Sequence, residues 1–177
     1  ATTEDSVRYT MFAAMLGAGI RPDEVILEHP HPVIARAQVD TWIPEYRNSA
    51  YALEFKFDRD PPGGMNQPKT QKAAAVFRDV HRQLLISQTE DVRSFFIYVT
   101  TEEMAVYFRN PNNGYDDFFS IPCGETLHLT ASYFEDKPKT FTNALGGSFS
   151  ADVKCAFSRD LPDRQYIRIY EICEPSA

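Results

Sequence analysis

The stretch that decides the fold is Ala52-Leu53-Glu54-Phe55-Lys56-Phe57, whose composition predicts a β-strand. Successive side chains of a strand point to opposite faces of the sheet. The large hydrophobic residues of this stretch therefore share one face, and Glu54 and Lys56 share the other. A carboxylate and an ammonium group on a mostly apolar strand need a reason, because burying a charge is costly unless it is paired or binds a metal.

A second carboxylate stands upstream, where Asp40 begins another apolar run with Thr41, Trp42 and Ile43. Two carboxylates and a lysine are the groups that metal-assisted hydrolysis of a phosphodiester requires. The alternative interpretation is an ordinary ion pair at the edge of a strand. The apolar neighbours of Glu54 favour a central strand and hence the first interpretation.

Composition predicts a single folded domain over residues 1–177, since 43% of the residues are hydrophobic and 13% are aromatic. No run approaches the roughly 18 apolar residues of a membrane span, and the acidic N-terminus lacks a signal-peptide pattern. Cys123, Cys155 and Cys173 are odd in number and lack the CxxC spacing of a metal site. We therefore expect reduced thiols, a cytoplasmic location and no membrane partner.

The formal net charge of −7 opposes an interaction with nucleic acid. Neutralisation of phosphates by basic residues supplies most of the non-specific affinity of nucleic-acid-binding proteins. A chain of this charge that binds DNA must concentrate its positive residues on one face.

Hydrophobic periodicity predicts the elements of the first hundred residues. Val7, Met11 and Met15 recur at helical spacing after a capping Thr2 or Thr3. The predicted elements are this helix, strands at 25–28, 33–43 and 51–57, a loop at 60–64, a helix at 68–85 and a strand at 94–99. Short links favour antiparallel pairing of the first three strands, and the intervening helix favours a parallel crossover to the fourth.

The remainder of the chain gives a weaker pattern. Residues 102–109 suit either a helix or a strand, and 110–114 suit a turn. Strands are predicted at 127–134 and 166–172, whereas 135–165 is polar and is left without predicted structure.

The order of elements and the residues on them resemble the PD-(D/E)xK nuclease superfamily, the fold of many restriction endonucleases. Its motif would be formed by Asp40, Glu54 and Lys56, with Val39 where the pattern often has proline. The resemblance covers a nuclease-like core at residues 4–100. It implies an α/β (α+β) fold with a mixed central sheet flanked by helices, and we expect 101–177 to add a β-rich C-terminal extension of strands and loops.

The resemblance implies an Mg²⁺-dependent endonuclease that cleaves DNA, with Mn²⁺ as a substitute metal. Asp40, Glu54 and the carbonyl of Phe55 would bind the metal, and Lys56 would position the water or stabilise the developing charge. Cleavage of both strands usually needs two sites, so a homodimer is compatible with this activity.

Further candidate site residues come partly from the same resemblance and partly from their positions in the predicted elements. The first helix of the superfamily often adds an acidic residue, here Glu4, although Glu4 also suits a helix N-terminus and a pair with Arg8. Glu28, at the end of the first strand, is the alternative candidate for this additional acidic residue. Some members place a glutamine or a basic residue on the second long helix, which would be Gln71 or Lys72. Arg78 and Arg82 follow on that helix, one turn apart, as potential DNA contacts alongside Lys72.

Other functions stay open. One is a non-catalytic interaction or nucleic-acid-binding protein on the same fold, and another is a small β-rich domain in which Glu54 and Lys56 only pair. A metal site at His29 and His31, a nucleophilic Cys123 and a second metal site at Asp116 and Asp117 have weaker support, because no further ligand or base lies near them in the sequence.

Overall fold

Seven strands form one mixed sheet, with five α-helices, in the computed structural model over its described residues 3–59, 68–89 and 91–176. The elements are α1 (Glu4–Gly17), β1 (Ile26–Pro30), β2 (Gln38–Tyr46), β3 (Ser49–Asp58), α2 (Lys69–Ser87), β4 (Val92–Thr101), α3 (Glu102–Arg109), α4 (Asp116–Phe119), β5 (Thr126–Leu129), α5 (Lys139–Leu145), β6 (Ala151–Leu161) and β7 (Gln165–Cys173). The strand order is β1-β2-β3-β4-β7-β6-β5. Only the β3–β4 pair among these strands is parallel. The predicted meander and parallel crossover are therefore confirmed.

Helix α1 covers one face of the sheet. Thr3 caps it through a reciprocal pair of hydrogen bonds with Ser6, which satisfies N–H groups that the first helical turn leaves free. The predicted stripe of Val7, Met11 and Met15 packs on the sheet in one cluster with Leu53 and Phe55. The face of β3 that carries its large hydrophobic residues thus lies under α1.

Helix α2 covers the opposite face of the sheet. Phe77 and its apolar neighbours on α2 enter the main core with Phe96 and Tyr98 of β4. Nearer the end of the helix, Ile86 packs against Val39 and Ala52. Strand β3 is covered on both faces, so four consecutive residues, 52–55, are buried there. The central position predicted for this strand is confirmed.

The second strand is shorter than predicted, since it begins at Gln38 and not at Val33. His31 explains the difference. Nδ1 of the His31 ring accepts hydrogen bonds from the backbone N–H groups of Val33 and Ile34 at 3.1 and 3.0 Å. The backbone N–H of His31 donates to the Ala37 carbonyl. These bonds turn the chain after the His-Pro-His-Pro segment, so an extended strand cannot start there. The predicted loop at 60–64 lies outside the described residues.

The C-terminal half holds more regular structure than predicted. Residues 102–109 form helix α3, and the segment 135–165 contains α5 and the whole of β6. The strand predicted at 127–134 ends at Leu129, because the chain turns into a short 3-10 helix that buries Phe134 in the aromatic core. Strand β7 pairs with β4, and β6 with β7, so the C-terminal strands continue the central sheet. No helix in the described part of the chain is both long and apolar enough to cross a membrane.

Candidate functional site

Asp40 joins three elements through its two carboxylate oxygens. Oδ2 accepts a hydrogen bond of 2.8 Å from the N–H of Phe55 on β3. Oδ1 lies 2.7 Å from Nη2 of Arg8 on α1. Burial raises the pKa of Asp40, and these two donors oppose that rise. The structure thus places Asp40 of β2 directly against the strand that carries Glu54 and Lys56.

Glu54 is the most deeply buried carboxylate of the predicted motif, at 6% exposed. Its Oε1 lies 3.0 Å from Nη1 of Arg82 on α2, whereas its Oε2 is buried without a hydrogen-bond partner among the described residues. Burial raises the pKa of Glu54 to about 8; the nearby charge of Asp40 adds to the rise and Arg82 opposes it. The pairing of β2 with β3 places the two carboxylates opposite each other, close enough for the charge of Asp40 to act on Glu54.

Lys56 faces α2, where its Nζ lies 3.3 Å from Oδ2 of Asp79. Burial by itself lowers the pKa of Lys56, but the charges of Asp79, Asp58 and Glu4 outweigh it and the pKa is raised. Lys56 therefore carries an ammonium group at neutral pH, in a mostly buried position among Asp79, Asp58 and Glu4.

The structure brings Glu4 to the motif. Its Oε2 accepts a hydrogen bond of 3.3 Å from the N–H of Phe57, and its Oε1 lies 4.0 Å from Nη2 of Arg8. Burial raises the pKa of Glu4, and the charge of Asp40 adds to that rise. Glu4 can therefore stabilise the N-terminus of α1 and also belong to the candidate site.

Glu28 has a different position. It lies on the edge strand β1, between Leu27 and His29, whose partners on β2 are Thr41 and Val39. Its register is therefore opposite Asp40, but its backbone is left-handed, with φ at 53°, and its side chain is exposed. Among the described residues it has no hydrogen bond or ion pair with the motif.

A cavity of about 420 Å³ opens beside Lys56. Three of the predicted candidate residues line it, namely Gln71, Lys72 and Arg78, together with Asp58 of β3. The wall also includes Ala144 of α5, so the C-terminal half contributes to this cavity. Three basic side chains around one concave surface concentrate positive charge, as a DNA-binding role requires of an acidic chain.

Arg82, predicted as a potential DNA contact, has partners within the protein. Its guanidinium contacts Glu54, and its Nη2 donates a hydrogen bond of 2.7 Å to the Gln38 carbonyl. Whether it also reaches nucleic acid stays a prediction.

Two charged residues of the site were missing from the predicted set. Asp79 of α2 holds Lys56, and Arg8 of α1 holds Asp40. Their signal in the sequence is weak, because each stands on a helix face with other polar residues. Only the packing of the helices against β2 and β3 turns those faces toward the motif.

No group of three or more His, Cys, Asp or Glu side chains in the described ranges is arranged to hold a metal ion. A pair of carboxylates is nonetheless sufficient for Mg²⁺, which is usually bound by one or two carboxylates with water and substrate phosphate.

The histidines and the exposed cysteine have other contacts. His29 stacks on Trp42, and His31 Nε2 lies 3.2 Å from the Arg82 carbonyl. Cys123 contacts the Ala156 carbonyl. These contacts therefore give no support to a metal site at His29 and His31 or to a nucleophilic Cys123.

Comparisons with protein-family models, curated proteins and solved structures find no match to this chain. Similarity to the PD-(D/E)xK superfamily therefore rests on the motif residues and the element order, and membership stays a prediction.

Proposed function

We propose that this protein is a metal-dependent nuclease that hydrolyses phosphodiester bonds in DNA. One observation carries the proposal: the half-buried Asp40 lies opposite the buried Glu54 on the adjacent strand, and Lys56 follows two residues after Glu54 on β3. A buried carboxyl group whose pKa is raised by burial and by a neighbouring carboxylate is an unfavourable arrangement, and such groups cluster at functional sites. The order helix, three strands, helix, strand is the further support.

The donor set fits a hard divalent cation. Asp40 and Glu54 offer carboxylate oxygens, and Oε2 of Glu54 is a buried acceptor that lacks a partner among the described residues. Phe55 stands between Glu54 and Lys56, and its carbonyl is the third oxygen we propose. When bound, Mg²⁺ or Mn²⁺ would polarise a phosphate oxygen and lower the pKa of an attacking water.

The chain itself would orient the substrate. Lys56 carries a positive charge two residues after Glu54 on β3, where it would stabilise negative charge that develops on the phosphate. Lys72 and Arg78, around the adjacent cavity, would bind the neighbouring backbone phosphates. Gln71 lines the same cavity and would donate a neutral hydrogen bond to a phosphate oxygen or a water.

A second candidate is a non-catalytic interaction protein on the same fold. It is favoured by the observation that all three motif residues already have charged partners: Arg8 for Asp40, Arg82 for Glu54 and Asp79 for Lys56. The net charge of −7 agrees with it. This candidate predicts that the pairs persist in the presence of divalent metal.

The experiment that separates the two candidates is a cleavage assay on plasmid DNA, single-stranded DNA and RNA with Mg²⁺ or Mn²⁺. The wild type is compared with Glu54→Gln and Lys56→Gln, and Glu171→Gln is the matched control. Glu171 pairs with the exposed Arg93 at 2.8 Å, away from the motif. We expect metal-dependent cleavage by the wild type and the control, and a loss of about 100-fold or more in both motif variants. Cleavage that survives Glu54→Gln would contradict the proposed site.

A substrate-independent measurement complements this assay. Titration of Mn²⁺ by calorimetry, extended to millimolar metal, should show binding that Glu54→Gln abolishes. Equal weak binding by both proteins would favour the interaction protein.

A further inference from the structure

The contact between Arg82 and Glu54 crosses from α2 to β3 and neutralises a carboxylate that is nearly inaccessible to water. Oε1 of Glu54 has the guanidinium at 3.0 Å, and Oε2 has no partner among the described residues. A buried carboxylate with one oxygen unsatisfied is an incomplete arrangement, since each unpaired buried polar atom costs free energy. The arginine thus satisfies only part of what Glu54 requires.

Arg82 has acceptors that do not depend on Glu54. Its Nη2 donates to the Gln38 carbonyl at 2.7 Å, and its Nη1 lies 3.8 Å from Oδ1 of Asp79. Asp79 stands one turn earlier on the same helix, so the guanidinium can approach it by a change of side-chain torsion alone. Release of Glu54 would therefore leave Arg82 neutralised and partly hydrogen-bonded.

The two carboxylates of the motif differ in how easily their charged partners can leave them. Asp40 is held by Arg8 and also by the N–H of Phe55, a backbone donor that cannot leave. Glu54 has Arg82, a long side chain that is about a quarter exposed, as its charged partner, besides a backbone hydrogen bond from Asp40. The second carboxylate is therefore the one whose partner is free to exchange.

We propose that Arg82 is a displaceable counter-ion of Glu54, which holds the carboxylate in the metal-free protein and moves to Asp79 when a divalent cation binds. This inference rests on the proposed metal site. It assigns Arg82 a role in setting metal affinity, and it makes Asp79 the residue that positions the released guanidinium. In the metal-free protein, Arg82 would neutralise the charge of Glu54. Metal binding would be weaker, because the cation has to displace this arginine.

The test is calorimetric titration of Mn²⁺ into the wild type, Arg82→Gln and Asp79→Asn. The titrations are run at a pH above the pKa of Glu54, which is about 8, so that the proton does not compete in place of the arginine. We expect Arg82→Gln to bind Mn²⁺ roughly tenfold more tightly, because no charge-assisted contact has to be broken. Asp79→Asn should bind more weakly, because the released guanidinium loses its acceptor.

The double variant distinguishes this exchange from a general charge effect. If Asp79 acts only through its negative charge, its effect on affinity should be the same with and without Arg82. If it receives the guanidinium, the effect of Asp79→Asn should shrink in the Arg82→Gln background. Arg93→Gln, which removes an arginine from the pair with Glu171, is the control for the change in net charge and should leave the affinity unchanged.

Each outcome has a separate meaning. Binding that Glu54→Gln abolishes but that Arg82→Gln leaves equal or weakens would overturn the exchange and retain the metal site. Absence of binding in every protein would overturn both. If Arg82→Gln does not fold, as circular dichroism would show, Arg82→Lys replaces it. The shorter ammonium cannot bridge Glu54 and Gln38, so we expect a smaller gain in affinity, and no gain would overturn the exchange.

Discussion

The N–H of Phe55 donates a hydrogen bond of 2.8 Å to Oδ2 of Asp40, which fixes the carboxylate of one strand against the backbone of the next. The other oxygen of Asp40 is bound by Arg8. Asp40 therefore has a structural role in addition to its proposed role as a metal ligand, and substitutions should separate the two.

Asp40→Asn should destabilise the protein by about 1–3 kcal/mol, because an amide oxygen can still accept from Phe55 but leaves Arg8 with only its longer contact of 4.0 Å with Glu4. Urea unfolding measures this loss. Glu102→Gln is the control, since Glu102 and its partner Arg164 are 42% and 76% exposed and such pairs contribute about 0–1 kcal/mol. A stability of Asp40→Asn equal to that of the wild type would show that the Arg8 pair contributes nothing.

Glu54 should make stability depend on pH. Its pKa of about 8 in the folded protein exceeds the ordinary value of 4.5, so the folded state holds this proton more tightly than the unfolded chain. The resulting stabilisation is fully present below pH 4.5 and is lost as the pH rises through about 8. Its upper bound is about 5 kcal/mol, from roughly 1.4 kcal/mol per pKa unit.

Thermal unfolding across this pH range checks the effect. The melting temperature of the wild type should fall relative to that of Glu54→Gln as the pH rises, because the amide does not ionise. Glu4, Asp40 and Asp58 also have raised pKa values, but they are present in both proteins. Added Mg²⁺ should restore more stability above the pKa of Glu54 than below it, since the metal binds the ionised form. Parallel pH profiles of the two proteins would argue against a raised pKa at Glu54.

The sequence was sufficient to predict the elements that build the motif. Alternation along 52–57 and the apolar stripes of the two long helices are local patterns, and the structure places all three as predicted. The partners of the motif were not predictable in the same way. The sequence predicts Arg82 as a potential DNA contact, yet Arg82 contacts Glu54, because the crossing of α2 over β3 decides which polar face meets the sheet.

The elements of the C-terminal half were also not predictable from local sequence patterns. Strand β6 has buried residues at its start and mostly exposed ones after Cys155, so it lacks a uniform alternation that would mark it as a strand. Its pairing with β7 is irregular between Cys155 and Phe157, which shifts the register. Helix α5 is only seven residues long, too short for a clear helical period. Tertiary pairing, and not local pattern, defines these elements.

DNA affinity should depend on the basic residues of the cavity. We expect Lys72→Gln and Arg78→Gln each to weaken binding regardless of sequence, and to lower the slope of log affinity against log salt by about 1. Fluorescence anisotropy with Ca²⁺ in place of Mg²⁺ would measure binding with cleavage suppressed. Lys154→Gln, on the exposed side of β6, is the control for net charge. Slopes that match that of the control would place the DNA elsewhere on the protein.

The aromatic core should make α2 and the C-terminal half unfold together. Phe77 of α2 is fully buried, and the rings around it come from the segment after α3: Tyr115, Phe118, Tyr133, Phe134 and Phe141, with centroids 4.6–5.8 Å away. Phe77→Ala should lower the free energy of unfolding by about 3–5 kcal/mol, through lost burial and the cavity that remains. Val106→Ala, at a residue that is 59% exposed, is the control and should change it by less than about 0.5 kcal/mol.

Two probes would report on this unfolding in different parts of the chain. Trp42, the single tryptophan, reports on β2, and far-ultraviolet circular dichroism reports on all helices. Because Phe77 connects α2 to residues beyond β4, both probes should show one transition at the same reduced midpoint in Phe77→Ala. Separate transitions would show that the C-terminal strands and helices fold independently of the motif. In that case unfolding of the C-terminal half would remove Ala144 from the lining of the cavity beside Lys56, while the motif stays folded.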